Sequence, residues 1–222
     1  MCGRYTVTVT IDELLLRYAT DIKSPFHTPR YNIAPTQIVP AVVNKDGRNQ
    51  IVDFKWGLIP PWAKDEKIAY KTFNARAETL EEKPSFRSSI KYKRCLIIAD
   101  SFYEWKNIGI DKQPMRIQLI NEKVFSFAGL HETWSRPGGE VIQSCCIITT
   151  TSNELMKDIH DRMPVILRRE DELLWLNQDL KEPEKLRHLL VPYDSKKMYA
   201  YPVSNRVGNV RNNDENLIQK EV

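Results

Sequence analysis

The sequence predicts one α+β domain over residues 1–222, with a mixed, barrel-like central β-sheet flanked by short helices. Three observations carry that expectation. Strand-like segments recur along the chain. Helical segments are few and short, and the two kinds do not alternate as parallel βαβ units would. No repeat, low-complexity stretch or linker divides the chain. Hydrophobic residues at 41% and charged residues at 28% supply a core and a solvated surface.

Residues 4–10 (RYTVTVT) alternate and read as a strand. Residues 11–20 (IDELLLRYAT) place apolar side chains at helical spacing, with Thr10 as N-cap and Glu13 completing a capping box. Strands follow at 37–43 (QIVPAVV) and 50–59 (QIVDFKWGLI). Residues 75–86 (ARAETLEEKPSF) begin as a helix and break near Pro84. Segment 94–105 (RCLIIADSFYEW) reads as strand, as do 115–120, 124–130 and 141–150. A short helix at 151–160 is capped by Ser152 or Asn153, and 169–178 and 182–191 read as amphipathic surface helices. A last strand at 198–204 precedes a polar tail, 207–222, expected to run over the surface.

No run approaches the roughly 18 apolar residues of a membrane span, and the polar, alternating N-terminus is no secretory leader. The expectation is a cytoplasmic monomer, nucleoid-associated if bacterial. Cys95, Cys145 and Cys146 lie in apolar strand-like runs and read as buried small hydrophobes. With no CxxC and no Cys/His cluster at zinc spacing, neither metal nor cofactor is expected. A net charge of +4 permits a nucleic-acid partner without demanding one.

Four polar stations interrupt these structural patterns: Cys2 with Arg4, Asn74 with Arg76 in TFNARAET, Glu104 in FYEW, and His160 in IHDRMP. Each has a bland reading. Glu104 faces outward by strand alternation, or is buried with a raised pKa and able to move protons near neutrality. His160 serves as a helix C-terminal cation, Asn74 as a cap or turn residue, Arg76 as one half of a surface ion pair. Together they supply a nucleophile, an amide, a carboxylate and an imidazole, dispersed as site residues are. WGLIPPWAKD adds Trp56 and Trp62 around a Pro-Pro turn; Trp56 reads as core, and Trp62 as an exposed ring suited to stacking on a base.

These stations, with RYNIAPTQIVPAV, FAGL, TTTSNELMKDIHDRMPVIL and VSNRVGNVRNN, resemble the SOS response-associated peptidase (SRAP) domain family over almost the whole chain. The resemblance implies recognition of abasic sites in single-stranded DNA and a covalent crosslink through an N-terminal cysteine that shields the lesion during the DNA damage response. It places catalytic roles on Cys2, Asn74, Glu104 and His160, and DNA contacts on Arg4, Pro35, Trp62, Arg76, Thr149 and Pro164. Removal of Met1 is left open between self-catalysis and the cell's aminopeptidase, and a weak lyase activity at abasic sites is compatible with the same chemistry. Ser101 and His131 stand where many members carry Gly and Trp, which bears on local packing only.

The chemistry of MCGRYT agrees. Removal of Met1 leaves Cys2 with an amine and a thiol on adjacent carbons. The amine, with an ordinary pKa near 7.7–8.0, condenses with the aldehyde of an opened abasic sugar, and the thiol closes a five-membered thiazolidine. A lysine or an internal cysteine lacks that pair. Two rival readings remain: a thiol peptidase using Cys2 and His160, and a non-covalent single-strand-binding module.

Overall fold

The computed structural model describes residues 2–22 and 28–221. Its centre is a closed ring of five strands: β4 (Ile38–Lys45), β5 (Arg48–Trp56), β7 (Arg94–Ala99), β10 (Phe125–Ser135) and β11 (Val141–Thr151). Neighbours are antiparallel except at the seam, where β11 runs parallel to β5, with Cys145 opposite Trp56. The sheet is thus mixed and barrel-like, as the sequence predicts.

Shorter strands extend the ring. β2 (Asp21–Ile22) joins β5, β13 (Ile166–Leu167) joins β10, and β6 (Asn74–Arg76) and β12 (Arg162–Pro164) join β11. A second, fully antiparallel sheet runs in the order β14 (Met198–Pro202), β9 (Asp111–Leu119), β8 (Ser101–Ile108), β1 (Arg4–Val7), β3 (Arg30–Ile33). Its inner face closes one side of the core: Tyr5 meets the rings of Trp56 and Phe127 edge-on, with centroids 5.1 and 5.8 Å apart.

The segment 94–105, expected as one strand, is two. It switches sheets at Asp100, a buried carboxylate that accepts hydrogen bonds from Thr6 and Thr8 and ties the corner to β1. Both halves are buried strand with no change of pattern at the corner, so the sequence does not show it. That switch carries Glu104 out of the barrel and beside the N-terminus.

Four short α-helices are described: α1 (Ile11–Tyr18), α2 (Ser89–Tyr92), α3 (Glu154–Lys157) and α4 (Glu172–Leu176). The Thr10–Glu13 capping box is formed, and Asn153, not Ser152, caps α3. The helix expected from residue 75 is instead β6 followed by one 3-10 turn, Ala77–Thr79, because β11 takes Asn74–Arg76 into its ladder. The two amphipathic helices shrink to α4 and a 3-10 stretch, Pro183–Leu189. Among the described residues no helix is long and apolar enough to cross a membrane.

The tail does more than cover surface. Val207 and Leu217 are fully buried and form a small satellite core with Tyr103 and Val203 on the outer face of the antiparallel sheet. The three internal cysteines are buried and free, as read from their strand contexts. Of the two departures from the family pattern, Ser101 accepts a hydrogen bond from Arg116 Nε at 2.9 Å, and His131 stacks on Phe54.

Gly129 lies in β10 where a Cβ would meet Ile97 Cγ1 at 2.7 Å and Cys95 Sγ at 2.9 Å. Gly129→Ala is expected to destabilise the barrel by about 1–3 kcal/mol through overpacking, read as a lower urea midpoint with an unchanged slope.

Candidate active site and nucleic-acid interface

Cys2 precedes β1 and is fully buried. The Nδ2 of Asn74 donates to its carbonyl at 2.7 Å, so β6 pins the N-terminal segment. The Oδ1 of Asn74 is buried and has no hydrogen-bond partner among the described residues. Burial holds the Cys2 thiol protonated by raising its pKa, and the Glu104 carboxylate adds to that effect.

Glu104 sits on β8 next to Tyr103, the register partner of Arg4 on β1. Of its two sequence readings, the buried one holds, at 3% exposure. Burial raises its pKa, and the imidazole of His160 pulls the other way. A desolvated carboxylate beside an imidazole is a candidate for moving protons.

His160 follows α3, and its backbone N–H donates to Met156 O at 2.8 Å. Its Nδ1 accepts the backbone N–H of Arg162 at 3.0 Å. His160 and Glu104 both line a cleft of about 790 Å3, as do Lys112, Lys157 and Trp105. The cleft is therefore bounded by β8, β9 and α3, with the fully buried Cys2 close enough to Glu104 for its charge to act on the thiol. No group of three or more His, Cys, Asp or Glu among the described residues is placed to hold a metal.

The candidate DNA contacts divide. Arg76, Thr149 and Pro164 form one row across three strands, since Thr149 on β11 pairs with Arg76 on β6 and with Pro164 on β12. Of the three, Arg76 is exposed, while Thr149 and Pro164 are buried. Trp56 is core and Trp62 is 58% exposed, the division the sequence suggests. Pro35 precedes Thr36, a β-branched residue held at φ +75°. Strain of that kind persists where the surroundings enforce it, here through Thr36 N–H on Trp56 O at 2.7 Å.

Arg4 is less open than a phosphate-seeking arginine. Its guanidinium donates to Asn32 Oδ1 at 2.9 Å, to Gly208 O at 3.1 Å and to Val207 O. Asn32 Nδ2 donates in turn to Asn209 O and Asn212 O at 3.0 and 2.9 Å, so the pair fastens the tail beside the cleft.

Sequence reasoning missed one element. Arg162 binds Glu78 through two parallel hydrogen bonds of 2.6 and 2.9 Å and donates to Thr149 O at 2.7 Å. It locks β12 to the turn after β6, and so the His160 segment to the Asn74 strand. Nothing in IHDRMP or NARAET announces the pair, because it depends on both strands flanking β11.

The SOS response associated peptidase (SRAP) family model matches residues 1–210. The chain is 51% identical to the abasic site processing protein YoqW of Bacillus subtilis, over 99% of each chain. It is 32% identical to the abasic site processing protein HMCES of Xenopus tropicalis, over 96% of this chain and 76% of that one. A crystal structure of a protein from Bacteroides thetaiotaomicron superimposes with a TM-score of 0.90 at 31% identity, covering all of both chains.

Proposed function

The chain belongs to the SRAP family, and on that premise we propose that it recognises abasic sites in single-stranded DNA and bonds to them covalently through Cys2 once Met1 is removed. The observation that carries this reading is the placement of Cys2: pinned by Asn74 and coupled to Glu104, which shares a cleft with His160.

The steps follow from the chemistry. The imidazolium of His160 protonates the sugar ring oxygen as the C1′–O bond breaks, and Glu104 takes the C1′ hydroxyl proton, leaving an aldehyde. The Cys2 amine adds to that carbon and a water leaves, giving an imine. The thiol then adds to the imine carbon and its proton passes to the nitrogen, closing the thiazolidine. Asn74 holds the Cys2 carbonyl through Nδ2, and its Oδ1 is available to accept from the amine. A thiol peptidase needs a thiolate beside an imidazolium, whereas burial keeps this thiol protonated. A weak lyase activity shares the imine, and self-removal of Met1 uses the same carboxylate and imidazole.

Recognition rests on the surroundings. An abasic site shows no base edge, so contacts fall on phosphate, sugar and stacked neighbours. Arg76 supplies exposed charge, Arg4 acts on DNA only through the tail it fastens beside the cleft, Trp62 and Pro35 give flat apolar surface, and Thr149 and Pro164 the floor of the row.

The direct test is to mix protein lacking Met1 with a single-stranded oligonucleotide carrying one abasic site, boil in SDS and run a denaturing gel. A shifted band, absent with intact DNA, is expected; no band with a verified free Cys2 would sink the reading. Trp62→Ala is expected to weaken binding to abasic single strands by about 1–3 kcal/mol, with little change in melting temperature because the ring is mostly exposed. Fluorescence anisotropy checks it.

A further inference from the structure

Two groups compete for the same nitrogen of His160. The backbone N–H of Arg162 points at Nδ1 from 3.0 Å, and the Asp161 carboxylate Oδ1 lies 2.8 Å from it. They suit different proton arrangements. A neutral imidazole that accepts from Arg162 carries its one proton on Nε2. In that form Nε2 is neither an acid nor a base of useful strength. With a proton on Nδ1, the ring faces the Asp161 carboxylate instead. Its Nε2 is then the acidic N–H of the imidazolium or the basic lone pair of the neutral ring.

We propose that Asp161 is a positioning residue that selects the Nδ1-protonated forms of His160 and so makes Nε2 the nitrogen that exchanges protons with the sugar. The inference rests on the proposed function above, and deepens it. In the ring-opening step the Nε2–H bond breaks and an O–H bond forms on the ring oxygen. The imidazole is left neutral, with its remaining proton on Nδ1 beside Asp161. The logic is that of an orienting carboxylate behind a catalytic imidazole. Here the carboxylate is the next residue in the chain rather than a distant one.

The rest of the arrangement supports the geometry. The Arg162 side chain is fixed to Glu78 and to Thr149 O, so the Asp161–Arg162 corner that presents both partners is anchored. Other charges face the same cleft: Glu104 on β8, Lys112 on β9, Lys157 on α3 and Asp158 just after it. The Asp161 carboxylate lies 2.8 Å from Nδ1. Its side chain is 85% exposed, so its removal does not threaten folding.

The test reads His160 first and the reaction second. Protein labelled with 15N-histidine is titrated by NMR without DNA, with wild type and Asp161→Asn side by side. The chain has four histidines. Burial, aided by Lys93, holds His131 down at about 4, out of the neutral range. Comparison with His160→Gln assigns the resonance.

Asp161→Asn is expected to move the neutral His160 ring toward the Nε2–H tautomer, read from its 15N shifts. Crosslinking by the variant is expected to be about two- to fivefold slower than by wild type under the same conditions. An unchanged tautomer overturns the proposal. So does a shifted tautomer with an unchanged crosslinking rate. If wild type forms no crosslink, the proposed function fails, while the titration alone still decides whether Asp161 sets the tautomer.

Discussion

Cys2→Ser is expected to abolish the boil-resistant DNA adduct. The serine variant keeps the N-terminal amine, so it can still form an imine with the opened sugar, but no thiol is left to close the ring. Borohydride added during the reaction should trap that imine in the variant, while without it the band falls to background. A variant that keeps Met1, by contrast, has an amide nitrogen at residue 2 and should yield no adduct under either condition. Binding to single-stranded DNA should survive in both, since the charged and aromatic contacts lie elsewhere. A heat-stable adduct from Cys2→Ser would show that the linkage does not use the thiol.

Glu104→Gln should slow crosslinking by about 100-fold or more, the scale of a lost acid–base group. It also carries a stability signature with a definite sign. Burial raises the folded-state pKa of Glu104, so the folded protein binds this proton more tightly than the unfolded chain. Stability from this group is present below the unfolded carboxylate value. It is lost as pH rises from there through the folded value. Glutamine removes that loss. The urea midpoint of Glu104→Gln relative to wild type should therefore rise between acid and neutral pH and then level off. A gap that does not widen with pH would mean that the carboxylate is not desolvated in the folded protein.

Local signals in the sequence translate well where one short segment decides the outcome. The Thr10–Glu13 capping box, the Asn153 cap, the buried Trp56 and the exposed Trp62 all follow from neighbouring residues. Each depends on a hydrogen bond or an apolar run within a few positions. What the sequence hides is register. Asn74–Arg76 has helix-forming neighbours, yet β11 recruits it as a strand, a case of tertiary pairing overriding propensity. The break at Asp100 is invisible for the same reason: both halves are strand, and only the sheet partner changes.

The candidate site shows the same division. Its residue types are legible one by one, because a carboxylate among aromatics and a cysteine next to the start are unusual. Their assembly is not, since it comes from β1 lying on β8 and β6 lying on β11. Glu78–Arg162 escaped notice because ion pairs between distant segments leave no spacing in the chain. The role of Arg4 as a fastener of the tail likewise needs Val207 and Gly208 in place before it can be seen.

The central claim is that one carbon of the abasic sugar ends up bonded to both the nitrogen and the sulfur of Cys2. Intact mass spectrometry of the purified crosslink tests it most directly, with borohydride treatment before digestion. The account predicts a mass equal to protein without Met1 plus DNA minus one water. It also predicts no gain on borohydride treatment, and a digest fragment that places the sugar on Cys2. A mass that retains Met1, an adduct that gains two hydrogens on reduction, or a sugar located on a lysine would contradict it.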